Sequence, residues 1–255
     1  MTEFVSVADG VLTTTSRRMS TNSTIVVGGA DALLVDPAWM PDELEAIAAE
    51  LDRRQLRVVG GFATHAHQDH LLWHPGLGDA PRWASERTAS LSVSERDVLV
   101  EFLGPDFPDD LADRMGRVSA IGDVVPEQSV PDGSDVELIT HDGHAPGHTA
   151  LWLPRQCVLI AGDMLSDVEL PLPFYPDDVA AYVEALDRLE PFVRQARVVD
   201  PGHGTVGHDA MTRLDRDRRY LDDMMRSGAS DDPRATDPAM ADAHAHMAEI
   251  AARGR

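Results

Sequence analysis

Residues 65–70 read His-Ala-His-Gln-Asp-His, placing His65, His67, Asp69 and His70 within six positions. The apolar run Leu56–Ala63 just before them reads as a strand. A chain that spends four polar, ligand-type side chains at one strand end must fold so that something there satisfies them. On a loop leaving a strand, alternate residues converge on one point while the next pair turns to a second point nearby. Imidazole nitrogen and carboxylate oxygen are the ligands zinc takes where thiolate is absent. A solvated polar loop that happens to hold histidines is the competing reading of this stretch alone.

Three later segments weaken that competitor. Ala145-Pro146-Gly147-His148-Thr149 sets a histidine on a tight turn before the strand Ala150–Leu153. Ala161-Gly162-Asp163 ends the strand Cys157–Ala161 with a carboxylate. Asp200-Pro201-Gly202-His203-Gly204 ends another strand with a glycine-flanked histidine. In each case a ligand type stands beside glycine at a strand terminus, where backbone passes close to something. Four such places in order are hard to assign to chance.

The remaining composition narrows the chemistry. Cys157 is the only cysteine of 255 residues, which excludes an internal disulfide and a thiolate metal cluster. It reads as a buried, inert thiol within an apolar run. The net charge is −22, and all 22 basic residues are arginine. Such a surface repels phosphate backbones, so no nucleic-acid partner is expected. Lysine-based Schiff-base chemistry is ruled out. No apolar stretch has the length of a membrane span, and Met1–Gly10 lacks a basic region and apolar core, so a cytoplasmic protein with no membrane partner is expected.

Alternation and turn residues predict strands at Phe4–Val7, Val11–Thr15, Thr24–Val27 and Ala32–Val35. A helix opened by Pro41 follows over Asp42–Arg53. The stretch from Ser85 to about Ser119 reads as helical, with a second helix starting at Pro108. Strands are expected at Val136–Thr140, Ala150–Leu153, Cys157–Ala161 and Arg197–Asp200. Helices are expected over 176–189, 209–226 and 238–252, giving one α/β (α+β) domain over 1–255. Both halves run from strands through a helix to a strand ending in histidine, which fits two packed sheets with helices outside.

The order His-x-His-x-Asp-His, Gly-His-Thr, Gly-Asp, Gly-His resembles the metallo-β-lactamase-fold hydrolases over about residues 4–210. That resemblance implies a four-layer αββα sandwich with the site at one sheet edge; the helical stretch 85–119 reads as a lid or pocket wall, and the C-terminus as helical. It implies two divalent metal ions, expected to be zinc. His65, His67 and His148 would hold the first, Asp69, His70 and His203 the second, and Asp163 would bridge them. Asp69 would also orient the attacking hydroxide. The implied activity is hydrolysis of an ester-like bond in a small-molecule substrate, with lactone or carboxylic ester ahead of thioester and phosphoester. His70 is followed by Leu-Leu-Trp where hydroxyacylglutathione hydrolases carry two glycines. Asp163 stands where some metallo-β-lactamases carry cysteine, which points away from a β-lactam.

Two other classes share such a scaffold. A persulfide dioxygenase would use one iron, drawn from His65, His148 and Asp163, and would leave the second ligand set idle. A non-catalytic binding protein would have no need to keep every ligand. Outside the motifs, Asp36 after the strand Leu33–Val35 reads as a support for the metal loops or a plain turn residue. Tyr175 is a candidate oxyanion donor, and Leu71, Leu72, Trp73 and Phe174 read as pocket lining or core. His74, His141 and His144 read as solvated or structural, and His208 as flanking a helix. His244 and His246 fall on different faces of the terminal helix. That helix carries Met240, Met247 and Ile250 on one side, for packing on its own domain or on a second subunit, and a homodimer is the expectation.

Overall fold

The computed structural model describes residues 3–173 and 177–253. Strands β1 (Val5–Ala8), β2 (Val11–Thr15), β3 (Asn22–Gly28) and β4 (Asp31–Val35) form an antiparallel meander. Helix α1 (Pro41–Arg53) then carries the chain back, so that β5 (Arg57–Phe62) pairs parallel to β4. Pro41 starts α1, Asp42 and Glu43 lie in its first turn, and Leu44, Ile47, Ala48 and Leu51 form its buried face. Two short strands extend this sheet in chain order: β6 (Arg82–Ser85) and β7 (Ser119–Ile121). Between them lie α2 (Glu86–Ser94), α3 (Arg96–Leu103) and α4 (Asp109–Ala112).

The second sheet is built from β8 (Glu137–His141), β9 (His148–Leu153), β10 (Val158–Gly162) and β11 (Val198–Pro201), in the order β11-β10-β9-β8. Helix α5 (Val179–Val193) connects β10 to β11 so that the two run parallel, and α6 (Ala210–Ser227) and α7 (Ala241–Arg253) complete the described chain.

Side-chain alternation assigns the layers. In β4, Leu33 and Val35 meet Leu151, Leu153, Val158 and Ile160 of the second sheet, while Ala32 and Leu34 face Ile47 and Leu51 of α1. In the second sheet, Ala150, Trp152, Leu159 and Ala161 turn outward onto Leu186 and Leu189 of α5 and Leu214 and Leu221 of α6. The result is helix, sheet, sheet, helix: the αββα sandwich that the period-two pattern of these strands demands.

The structure departs from expectation mainly between 82 and 121. The predicted helix after Ser85 is two helices that meet at Glu95, and the helix from Pro108 stops after one turn. Strands β6 and β7 escaped notice because they are four and three residues long and carry little apolar alternation. The C-terminal helix starts at Ala241, after a 3₁₀ turn over Pro238–Met240. Its Met247 and Ile250 are buried against this chain's own core. No described helix is long and apolar enough to cross a membrane.

A buried carboxyl ties the two sheets together. Asp200 Oδ2 accepts from the hydroxyls of Thr13 (2.6 Å) and Thr24 (2.7 Å), and its Oδ1 has no partner. Burial pushes this carboxyl up to about 6, and the two threonine hydroxyls only partly offset it. A folded-state value above the unfolded one favours the native state at low pH, and that advantage fades as pH rises from about 4 through 6. Asp200→Asn removes the titration. The variant is expected to gain up to about 3 kcal/mol relative to the parent between pH 4 and 7. Urea unfolding of both proteins across that range is the check, and a pH-independent difference would refute it.

Candidate metal centre

The strand ends converge at one edge of the sandwich. Asp36, directly after β4, accepts from Thr64 N at Oδ1 (2.8 Å) and from Thr64 Oγ1 at Oδ2 (2.6 Å). Oδ2 also lies 2.9 Å from His70 Nδ1, so one carboxylate fixes both ends of the loop that follows β5. The Thr64 hydroxyl gives its proton to Asp36 and is left to accept from His65 Nδ1 at 2.9 Å. His144 Nδ1 donates to the Leu172 carbonyl (2.9 Å), and His203 Nδ1 to the Met19 carbonyl (3.0 Å). In four rings the outer nitrogen is thus engaged, which turns Nε2 inward.

Two donor sets result. In the first, His65 Nε2, His67 Nδ1, His144 Nε2 and an Asp163 oxygen come together; in the second, Asp69, His70 and His203. Asp163 Oδ2 is 3.3 Å from His65 Nε2, 3.3 Å from His144 Nε2 and 3.4 Å from His203 Nε2. His203 Nε2 lies 3.3 Å from Asp69 Oδ2, and His70 Nε2 lies 3.2 Å from Asp163 Oδ1. That Oδ1 is buried and receives no hydrogen bond despite the short approach. Donors about 2.0–2.1 Å from a shared tetrahedral ion stand roughly 3.3 Å from one another. The spacing, the inward-facing nitrogens and the unpartnered oxygen fit divalent cations held by nitrogen and carboxylate.

The electrostatics agree. Burial holds His65 well below its ordinary value, lowers His67, and takes His144 down to about 3, so these rings are neutral, the form that ligates a metal. Burial also acts on His70 and His203, but the Asp163 and Asp69 carboxylates outweigh it and hold both well above the usual range. Asp163 and Asp69 in turn stay ionised against burial because of those histidines. The enclosed carboxylates call for positive charge, which a divalent ion supplies more compactly than protons on two rings.

One assignment needs correction. His148 does not join the first set; His144 stands there instead. As the first residue of β9, His148 pairs across the hairpin with His141, and its ring stacks between His141 (4.6 Å) and His65 (5.0 Å). Its Nε2 is spent accepting from Asp163 N at 3.0 Å. A strand residue has its side chain pinned to one face, whereas His144 sits in the loop between β8 and β9 and can reach inward. Gly143-His144 and Gly147-His148 are both Gly-His pairs, so the local pattern does not choose between them.

The structure brings His65, His67, Asp69, His70, Asp163 and His203 together, and gives Asp36 its supporting role. Tyr175 and Phe174 lie outside the described residues. Leu71, Leu72 and Trp73 are core, the indole donating to the Gly78 carbonyl at 3.0 Å. His74 caps the 3₁₀ turn Pro75–Leu77, and His208 contacts the Arg197 carbonyl. His244 pairs with Tyr220 and His246 with Asp177. Cys157 is partly buried, on the turn before β10. Glu169 was missed: it comes within 3.8 Å of His203, and burial raises its carboxyl to about 7. It stands in a loop that carries no motif. A cavity of about 710 Å³ opens from His67, Asp69, His144, Asp163 and His203.

Comparison with known proteins agrees with this geometry. A Bacillus subtilis protein named as a probable metallo-hydrolase, YflN, is 30% identical over 158 residues, 54% of this chain and 56% of that protein. A Bacteroides fragilis metallo-β-lactamase type 2 is 32% identical over 93 residues, 32% of this chain and 37% of that one. The chain thus spans little more than half, or less, of the curated relatives it matches. The solved metallo-β-lactamase from Pontibacter korlensis shares the fold at a TM-score of 0.64 and 21% identity, covering 84% of this chain and 96% of that one. The family model of the metallo-β-lactamase superfamily matches residues 16–203, from just after β2 to the last histidine of the centre, and the chain belongs to that superfamily.

Proposed function

We propose that this protein is a hydrolase with two divalent metal ions, zinc by preference, acting on an ester-like bond of a small organic molecule. Lactones and carboxylic esters come first, thioesters and phosphoesters after them. The observation that carries this reading is the placement of Asp163 between two complete donor sets that open onto one cavity. His65, His67 and His144 would hold one ion, Asp69, His70 and His203 the other, with Asp163 shared.

Ions bound there supply Lewis acidity to a carbonyl and bring the pKa of water down to about 7. The protein's own groups do the positioning. Asp36 and Thr64 hold His70 and His65 in single tautomers with Nε2 inward. Asp69 borders the cavity, where its carboxylate would orient the attacking hydroxide. No serine, cysteine or lysine nucleophile is needed.

Elemental analysis of protein purified without added metal or chelator is expected to give two zinc, or another divalent ion, per chain. One iron per chain would overturn the reading in favour of oxygen chemistry. Against a panel of lactones, esters and thioesters, Asp163→Ala is expected to lower kcat/KM by more than about 100-fold, beyond the loss typical of an outer supporting residue. Full activity in that variant would sink the assignment.

The two neighbouring histidines separate cleanly. His144→Ala is expected to drop metal content towards one ion per chain. His148→Ala is expected to retain both ions but lose about 1–3 kcal/mol of stability, because the buried Asp163 N–H loses its acceptor. The opposite pattern of metal content would return His148 to the first set.

A further inference from the structure

The cavity beside the metal centre is built from two materials. Its floor carries the ligands, whereas its walls are aliphatic and aromatic. Leu91 and Leu99 of α2 and α3 form one side, Leu172 and Pro173 another, and Met247 and Ile250 of α7 close the third. Phe102 lines the same wall and remains 62% exposed, so the apolar surface runs out to the rim. The charged groups among the described lining residues beyond the floor are Glu95, Glu169 and Asp242, all acids. No arginine is found among the described lining residues, although the chain has 22. The one rim histidine, His246, is already paired with Asp177 at 2.8 Å.

We infer that this cavity binds a neutral aliphatic chain attached to the scissile group and rejects substrates that carry a carboxylate there. The inference rests on the hydrolase reading only for the word scissile; the pocket itself is a claim about binding. Each methylene moved from water into such walls favours binding by a roughly constant factor. Along the walls, away from the ions proposed at the floor, an anionic tail would lose its water without finding a cation, and would face Glu95 and Asp242 instead. A polar substrate portion would need convergent donors, and the described walls offer hydrocarbon.

The probe is a homologous series of neutral primary amides, butanamide, hexanamide and octanamide, set against the suberic monoamide that ends in a carboxylate. Calorimetric titration into the metal-loaded protein is expected to show affinity rising about threefold to fourfold per methylene. The carboxylate-ended compound is expected to bind at least about tenfold more weakly than octanamide. Ala243, on α7, faces the cavity. Ala243→Phe is expected to lower the ratio of octanamide to butanamide affinity about tenfold; a melting curve checks that it folds, and Ala239→Phe is the second variant. Affinity independent of chain length, or tighter binding of the carboxylate-ended compound, would overturn the inference.

A matching series of p-nitrophenyl alkanoates separates the two readings. Chain-length-dependent amide binding with no ester turnover would leave the pocket intact and defeat the hydrolase. Ester turnover with equal kcat/KM from acetate to octanoate, and flat amide binding, would do the reverse.

Discussion

The candidate ligands hang from backbone hydrogen bonds at the edge where the two sheets meet, some between the sheets and one within the second. Thr149 N donates to the Thr64 carbonyl (2.8 Å), Asn22 N to Gly202 (2.7 Å), and Gly202 N to Gly162 (2.6 Å). The Asn22 side chain adds bonds to Pro201 and Gly204 at 2.8 and 3.0 Å. These bonds lie within a few residues of His65, His148, Asp163 and His203. The attraction between the Asp163 and Asp69 carboxylates and the His70 and His203 rings is set against the cost of burying them, so it does not by itself fix the spacing. The scaffold imposes the spacing. Two glycines make that possible: a Cβ on Gly162, whose φ is +55°, would overlap the His148 ring, and one on Gly202 would overlap Asp163. Both chain segments therefore approach the centre as bare backbone.

This explains what the sequence could and could not reveal. The layers were legible because strands such as Ala32–Val35 and Ala150–Leu153 are apolar throughout, as strands covered on both faces must be. Helix α1 was legible through Pro41 and its single apolar stripe. The metal-type residues were legible because polar side chains at glycine-bordered strand ends have few other uses. The choice between His144 and His148 was not legible, since both follow a glycine and the deciding facts are non-local. His148 is taken by a backbone N–H from Asp163 and by stacking on rings from two other segments. Glu169 and the strands β6 and β7 were equally hidden, because tertiary contacts rather than local pattern place them.

The loop after Asp163 shows why the absence of lysine suits this architecture. Arg213 reaches the Leu165 carbonyl, Arg216 that of Ser166, and Arg234 those of Ser166 and Glu169 at 3.0 and 2.7 Å. Arg234 also bonds Asp217 and Asp232, so one buried guanidinium serves four residues at once. A planar fork with five donors spans such an array; an ammonium group, compact and strongly hydrated, does not. The three arginines lie beyond residue 203, past the stretch that carries the family pattern. The C-terminal segment therefore does more than cover the second sheet: it sets the course of the chain leaving Asp163.

The same division runs through the cavity. Its floor comes from the strand ends, which the two sheets fix. Its walls come from α2 and α3, inserted between β6 and β7, and from α7 at the far end of the chain. None of those helices contributes a side chain to the donor sets. Changes in wall residues can thus alter which molecule is admitted without moving a ligand, whereas changes at the strand ends disturb the centre and the inter-sheet bonds together. Burying the donor sets under an apolar wall also lowers the local dielectric, which strengthens each interaction between the carboxylates and a cation. Hydrocarbon around the centre is therefore part of how the centre holds charge, as well as a surface for a substrate.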